Sequence, residues 1–224
     1  MVTTLCLVRH GETEGSDIPR YKGSLDVPLS ARGYEQVRRT AGRLREVLAV
    51  MLQERRQSYL RVVHDQEGAA NEEGLDVVYC SPLSRAVQSA ELIAAPHGLT
   101  PVVEDDLRER HFGVWEGLSF AEIKRDFPEA FTAWAADPVL FAPPEGENTQ
   151  EVAHRGRTAL EAILARHPGR NVGVVAHGGI NRVILCHLLG MPLENIFRLE
   201  QDLACFNIIE MWEQLPVVKL LNAL

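Results

Sequence analysis

A chain of 224 residues, 46% hydrophobic and 24% charged, is long enough to bury a continuous core, and a single domain over 1–224 is expected. A formal charge of -8 disfavours nucleic acid or an anionic membrane as the main partner, since both call for clustered Lys and Arg, so an anionic substrate must meet a local cationic pocket. The four cysteines lie far apart without CxxC pairs, no apolar run reaches the roughly 18 residues of a membrane span, and no export signal precedes the first apolar run; a reduced, cytoplasmic protein is expected.

In chain order, short runs rich in β-branched residues occur at Leu5 to Val8, Val77 to Cys80, Pro101 to Val103 and Val172 to Ala176. Helix-length segments separate them, which predicts βαβ units around a mostly parallel sheet. Between Ser30 and about Glu54, Val37, Ala41, Leu44, Leu48 and Met51 recur at steps of three or four and form the apolar stripe of an amphipathic helix. From Arg55 to Leu75 the chain turns polar and aperiodic, which predicts one long loop at about 55–75. Ser81-Pro82 reads as an N-cap and first helical residue, with the helix running to about Ala94. Gly178-Gly179 separates the fourth strand from a helix reaching about Leu189. Ala204 to Met211 and Val217 to Leu221, around Pro216, predict two strands at an antiparallel edge, and the apolar tail Leu215 to Leu224 suits a homodimer contact.

Chemistry gathers at the strand ends. Arg9-His10 follows the first strand, Arg85 lies just after the second, Glu109 beyond the third, and His177 after the fourth. In open α/β sheets the carboxyl ends of the strands form the ligand edge, so these distant residues converge by topology. Two arginines, two histidines and a carboxylate are what a phosphomonoester needs: bidentate donors, a nucleophile and a proton donor. A helix start at Gly178-Gly179 adds backbone N–H groups for an anion. No second His or carboxylate stands at a recognised zinc spacing, and GxSxG, Walker and GxGxxG signatures are absent, so neither metal nor cofactor is expected. Trp115, Trp134 and Trp212 read as core or lid packing.

At these residues the chain resembles the histidine phosphatase superfamily, which includes the phosphoglycerate mutases. The resemblance rests on Leu7-Val8-Arg9-His10-Gly11-Glu12-Thr13, Arg20-Tyr21-Lys22-Gly23, Asp26-Val27-Pro28-Leu29-Ser30, Ser81-Pro82-Leu83-Ser84-Arg85-Ala86, Leu107-Arg108-Glu109 and Ala176-His177-Gly178-Gly179. It covers roughly residues 5–210 and implies a three-layer α/β/α sandwich of the phosphoglycerate mutase type. It further implies His10 as nucleophile, Arg9, Arg85 and His177 as phosphate ligands, and Glu109 as proton donor. Glu12, Thr13, Ser16, Arg20, Tyr21, Lys22, Gly23 and Gly178 are the expected further substrate contacts. Many members carry Asn where this chain has Ser16, whose side chain has a shorter reach.

The activity so implied is hydrolysis of a small phosphorylated metabolite, with α-ribazole phosphate a specific candidate. A phosphoglycerate mutase and a non-catalytic phosphate-binding member are the alternatives. Phe127-Pro128-Glu129, Trp134, Asp137-Pro138 and Gly146-Glu147-Asn148 follow in an order that resembles the phosphatase branch. The paired arginines with which mutases hold a carboxylate are absent between Gly117 and His154, where Lys124-Arg125 is the only basic pair.

Overall fold

The computed structural model describes residues 1–57, 74–212 and 215–224. The segment expected as a loop at about 55–75 lies, apart from its ends, outside the described residues.

Six strands form one sheet, in the order β3-β2-β4-β1-β5-β6. They are β1 (Val2–Arg9), β2 (Val77–Cys80), β3 (Val102–Val103), β4 (Asn171–Ala176), β5 (Phe206–Trp212) and β6 (Leu215–Ala223). β1 pairs in parallel with β4, β4 with β2 and β2 with β3, whereas β5 and β6 add the antiparallel edge. This is the mostly parallel α/β sheet with an antiparallel edge that the pattern of runs predicted, in the α/β fold that the resemblance implied.

Alternation along β1 explains the layers, because successive side chains of a strand point to opposite faces. Leu5 and Leu7 enter one apolar cluster, with residues of α5 (Thr149–Arg166) and α6 (Gly178–Leu189). Cys6 and Val8 enter the other, with α1 (Ala31–Gln57) and α2 (Ser84–Ala94). On α1 the predicted stripe is buried at Val37, Ala41, Leu44 and Leu48, and Leu52 completes it in place of half-buried Met51. Two short helices, α3 (Phe120–Asp126) and α4 (Pro128–Ala136), lie between β3 and α5 in the chain. α3 begins on a capping box of Ser119 with Glu122, and α5 on one of Asn148 with Glu151; each satisfies backbone donors that a helix start leaves orphaned.

One boundary differs from expectation. α2 starts at Ser84 behind Leu83, and Ser81 does not cap it. The Ser81 hydroxyl accepts the Leu83 amide at 3.3 Å, one residue short of the helix, and also meets the ring of His177, 2.7 Å from Nε2. Among the described residues no helix is long and apolar enough to cross a membrane.

Candidate active site

β1 runs between β4 and β5 and delivers Arg9 and His10 to the carboxyl edge of the sheet, where the His10 amide donates to the Ala176 carbonyl at 3.0 Å. Neighbouring β4 ends on His177, and the turn after β2 carries Arg85 into the same region. A cavity of about 460 Å³ opens there, lined by Arg9, His10, Arg85 and Glu109 among others.

His10 is 7% exposed. Its Nδ1 lies 2.7 Å from the Gly11 carbonyl oxygen, so a neutral ring keeps its proton on Nδ1 and leaves the Nε2 lone pair free. Burial, then the charges of Arg9 and Arg85, hold its pKa well below the usual histidine value, which keeps the ring neutral near pH 7. The rings of His10 and His177 meet edge to face at 5.1 Å.

Arg85 is 2% exposed, an unusual setting for a guanidinium. Its Nε donates to His177 Nδ1 at 3.2 Å, Nη1 to the Leu25 carbonyl at 2.7 Å and Nη2 to the Gly23 carbonyl at 2.6 Å. No carboxylate pairs with it at ion-pair distance among the described residues, so its charge is uncompensated at contact range. Arg9 donates through Nη1 to the Gln201 carbonyl, while its buried Nε has no partner among the described residues. Burial lowers the pKa of both arginines, with Glu109 opposing the shift. Buried Arg85 and partly buried Arg9 line one cavity, and two such cations call for an anion.

Glu109 is held by the start of α6. Its carboxylate accepts from the amides of Gly179 at 2.9 Å, Ile180 at 3.2 Å and Arg110 at 2.9 Å. A Cβ on Gly179 would stand 2.5 Å from Glu109 Oε1, so only glycine allows this approach. Of the two helix-start amides expected to face an external anion, that of Gly179 is therefore taken by the protein's own carboxylate, for which the helix terminus is equally suited, while Gly178 lines the cavity.

The remaining expectations divide. Thr13, Ser16, Arg20, Tyr21, Lys22, Gly23 and Gly178 line the cavity. Lys22 Nζ donates to Thr13 Oγ1 at 2.5 Å, the Glu14 carbonyl at 2.6 Å and Ser16 Oγ at 3.2 Å, while Ser16 Oγ itself donates to the Thr13 carbonyl at 2.7 Å, so the short Ser16 side chain is tied into its own loop. Arg20 is committed to Glu122 and the Gly117 carbonyl, both at 2.7 Å, and the Tyr21 ring packs on Phe112 at 4.8 Å. Glu12 does not line the cavity. Its carboxylate accepts from Ser30 Oγ at 2.9 Å and lies 3.4 Å from Arg32, beside the start of α1 where a negative charge is favoured. His177 is fully buried, and both ring nitrogens are satisfied by Arg85 and Ser81. As placed, it meets the cavity through Arg85 and His10 rather than by a direct contact.

The sequence reading missed Arg110, Phe112, Arg182, Ile196 and Phe197, which also line the cavity. Arg182 was legible, since it stands one helical turn after Gly178. Nothing local signals Ile196 or Phe197. Arg110 spends its guanidinium on the Glu147 and Phe141 carbonyls and Thr149 Oγ1, and Arg182 donates to the Leu199 carbonyl and Glu200. Among the described residues no three His, Cys, Asp or Glu side chains gather as a metal would require.

The family model of the histidine phosphatase superfamily (branch 1) matches residues 5–52 and 66–224. The chain belongs to this superfamily. Among similar histidine phosphatases, phosphoserine phosphatase 1 of Hydrogenobacter thermophilus is 32% identical, over 97% of this chain and 91% of that protein. The adenosylcobalamin/α-ribazole phosphatase of Escherichia coli is 26% identical, over 98% of this chain and 95% of that protein. The solved structure of Bacillus stearothermophilus YhfR superposes with a TM-score of 0.81 at 27% identity, covering 99% of this chain and 98% of that one. Membership and relatives together identify the chain as a phosphatase, a phosphomonoester hydrolase of the histidine phosphatase superfamily.

Proposed function

We propose that this phosphatase hydrolyses a small phosphomonoester with a largely apolar leaving group, through a phosphohistidine on His10. The observation that carries the reading is the neutral, buried His10 ring. Its Nδ1 is tied to Gly11, and its Nε2 is unspent in a cavity shared with Arg9 and Arg85.

Arg9 and Arg85 take the phosphoryl oxygens, with His177 bracing Arg85 from behind. His10 Nε2 attacks phosphorus, the bond to the ester oxygen breaks, and Glu109, carrying the proton that enters with the substrate's phosphate, passes it to that leaving oxygen. Water then attacks phosphorus, the N–P bond breaks with its electron pair returning to Nε2, and the Glu109 carboxylate accepts the water's proton. Catalysis of this kind is mostly positioning and electrostatic stabilisation, which suits rigid buried cations.

The rim supports the substrate class. Ile18, Tyr21, Phe112, Trp134, Ile196 and Phe197 line the cavity beyond the cations, while Arg20, Arg110 and Arg182 are engaged with protein acceptors. Arg20 and Arg182 already meet the carboxylates of Glu122 and Glu200, so a second carboxylate, as in phosphoglycerate, finds little free positive charge at the rim, which favours hydrolysis over mutase chemistry. An α-ribazole phosphate, with its planar apolar base, suits such walls. Free, buried Cys6, Cys80, Cys186 and Cys205 favour a reducing, cytoplasmic setting. A sheet drawing strands from both ends of the chain favours a single domain. Exposed Leu215, Val217, Leu221 and Leu224 on and beside the edge strand favour a homodimer, which sedimentation would test.

The test is a panel of α-ribazole phosphate, phosphoserine and 3-phosphoglycerate, scored by released phosphate with and without 2,3-bisphosphoglycerate. Fastest release from α-ribazole phosphate, no response to the bisphosphate, full activity after EDTA and inhibition by vanadate are expected. Interconversion of 3- and 2-phosphoglycerate faster than phosphate release would replace the reading with a mutase.

A further inference from the structure

We infer that Glu147 and Arg155 are positioning residues for Glu109, acting on the proton-transfer step without touching the substrate. The inference rests on the reading of Glu109 as the acid. Glu109 sits on neither strand nor helix, but between the single 3₁₀ turns Asp105–Leu107 and Gly113–Trp115. Such a segment has no ladder of its own to hold it, so its backbone groups must be satisfied from elsewhere.

Two side chains do this. Arg155, in the second turn of α5, donates from Nη1 to the carbonyls of Asp106 at 2.8 Å and Arg108 at 2.7 Å, and from Nη2 to the carbonyl of Glu109 itself at 3.1 Å. Its Nε and Nη2 also meet the two oxygens of Glu147, each at 2.9 Å, so the fork is fully used. Glu147 holds the other end of the segment. Oε2 accepts the His111 amide at 2.9 Å, the Glu147 amide donates to the His111 carbonyl at 2.8 Å, and the Glu147 carbonyl accepts from Arg110 Nε at 2.7 Å. A Cβ on Gly146 would lie 2.8 Å from the His111 carbonyl oxygen, so the two loops are in close backbone contact. Burial works against the Glu147 carboxylate, but Arg155 and the His111 amide together pull its pKa below the usual range. The Glu147 carboxylate is thereby favoured in its ionised form, paired with Arg155.

Neither residue lines the cavity. What they share with the site is the backbone from 106 to 111, which brings two side chains to the cavity, Glu109 and Arg110, and of these only Glu109 can serve as an acid. Displacement of an acid by about an ångström costs up to roughly a hundredfold in rate, so the pair matters only to substrates that need the acid.

The experiment compares kcat/KM, which reports the phosphorylation step, for p-nitrophenyl phosphate and benzyl phosphate. The two are similar in shape, and only the second departs as a poor alkoxide. Glu109→Gln is expected to cost about a hundredfold or more on the benzyl ester and little on the nitrophenyl ester. Arg155→Lys and the isosteric Glu147→Gln are each expected to cost about tenfold on the benzyl ester and less than about threefold on the nitrophenyl ester. Glu109→Gln combined with Arg155→Lys is expected to be no worse on the benzyl ester than Glu109→Gln alone, because both changes act through one group. Equal losses on the two esters in the Arg155 and Glu147 variants, or additive losses in the combined variant, overturn the inference while leaving Glu109 as the acid. Absence of the split in Glu109→Gln itself overturns the underlying assignment instead.

Discussion

The floor and the rim of the cavity are built by opposite means. Arg9 and His10 hang from a strand paired on both sides, and Arg85 sits almost wholly buried at the start of α2. The rim is made of loop and short-helix side chains, among them Ile18, 53% exposed, and Phe197, 61% exposed. A transferring phosphoryl group is the same in every ester, so its cradle gains from rigidity and fixed charge. The leaving group differs from ester to ester, and contact with it is supplied by adaptable apolar surface. Changes at the floor should therefore remove chemistry, and changes at the rim should alter which ester is preferred.

The largest effect is expected from His10→Ala, which should lower turnover by more than about a thousandfold and eliminate the acid-labile phosphoenzyme trapped by rapid quenching. Turnover near that of the wild type would collapse the contrast between floor and rim altogether. Arg85→Lys keeps the charge but loses the fork that joins His177, Gly23 and Leu25. About a hundredfold loss in kcat/KM is expected on every ester alike, measured across the substrate panel. A loss confined to some esters would place Arg85 with the rim.

Acid should expose the electrostatic cost of the floor. Burial, then Arg9 and Arg85, depresses the pKa of His10; burial, then Arg85 and His10, depresses that of His177. The unfolded chain takes up protons on these rings as pH falls below about 6.5 and the folded chain does not. Stability is thus unaffected above that pH and is lost below it, by up to about 1.4 kcal/mol per pH unit for each ring, down to its folded pKa. Denaturant unfolding of wild type and His10→Asn on both sides of this pH checks the sign. The variant should lose its share of the slope, and an unchanged slope would mean that His10 protonates freely in the folded protein.

The smallest effect belongs to the rim. Phe197→Ala should raise KM for a bulky apolar ester by about tenfold, the scale of one lost apolar contact, and leave kcat and product inhibition by phosphate nearly unchanged. A fall in kcat on all esters would mean that the two regions are not separable.

The same division explains what could be read early. Arg9 and His10 follow an apolar run, and Arg85 and His177 follow two others, so topology alone brings them to one edge. Glu12 shares the first motif but turns away, because its carboxylate is claimed by Ser30 and Arg32 at the start of α1. Ser81 carries a capping signature and does take the Leu83 amide, yet its hydroxyl also goes to a histidine 96 positions away. Propensity speaks for a residue's near neighbours and is silent about such distant partners.

The sequence by itself determined the sheet, its antiparallel edge, and the convergence of Arg9, His10 and Arg85 on one edge of it, because periodicity and strand-end placement are local properties that follow from backbone geometry. Only the tertiary structure decided that the first amides of α6 hold Glu109, that Arg110 and Arg182 are spent on protein acceptors, and that Ile196 and Phe197 reach the cavity. Each of these depends on the distance between segments remote in the chain, and that distance is set by how the helices pack on the sheet, not by any spacing along the sequence.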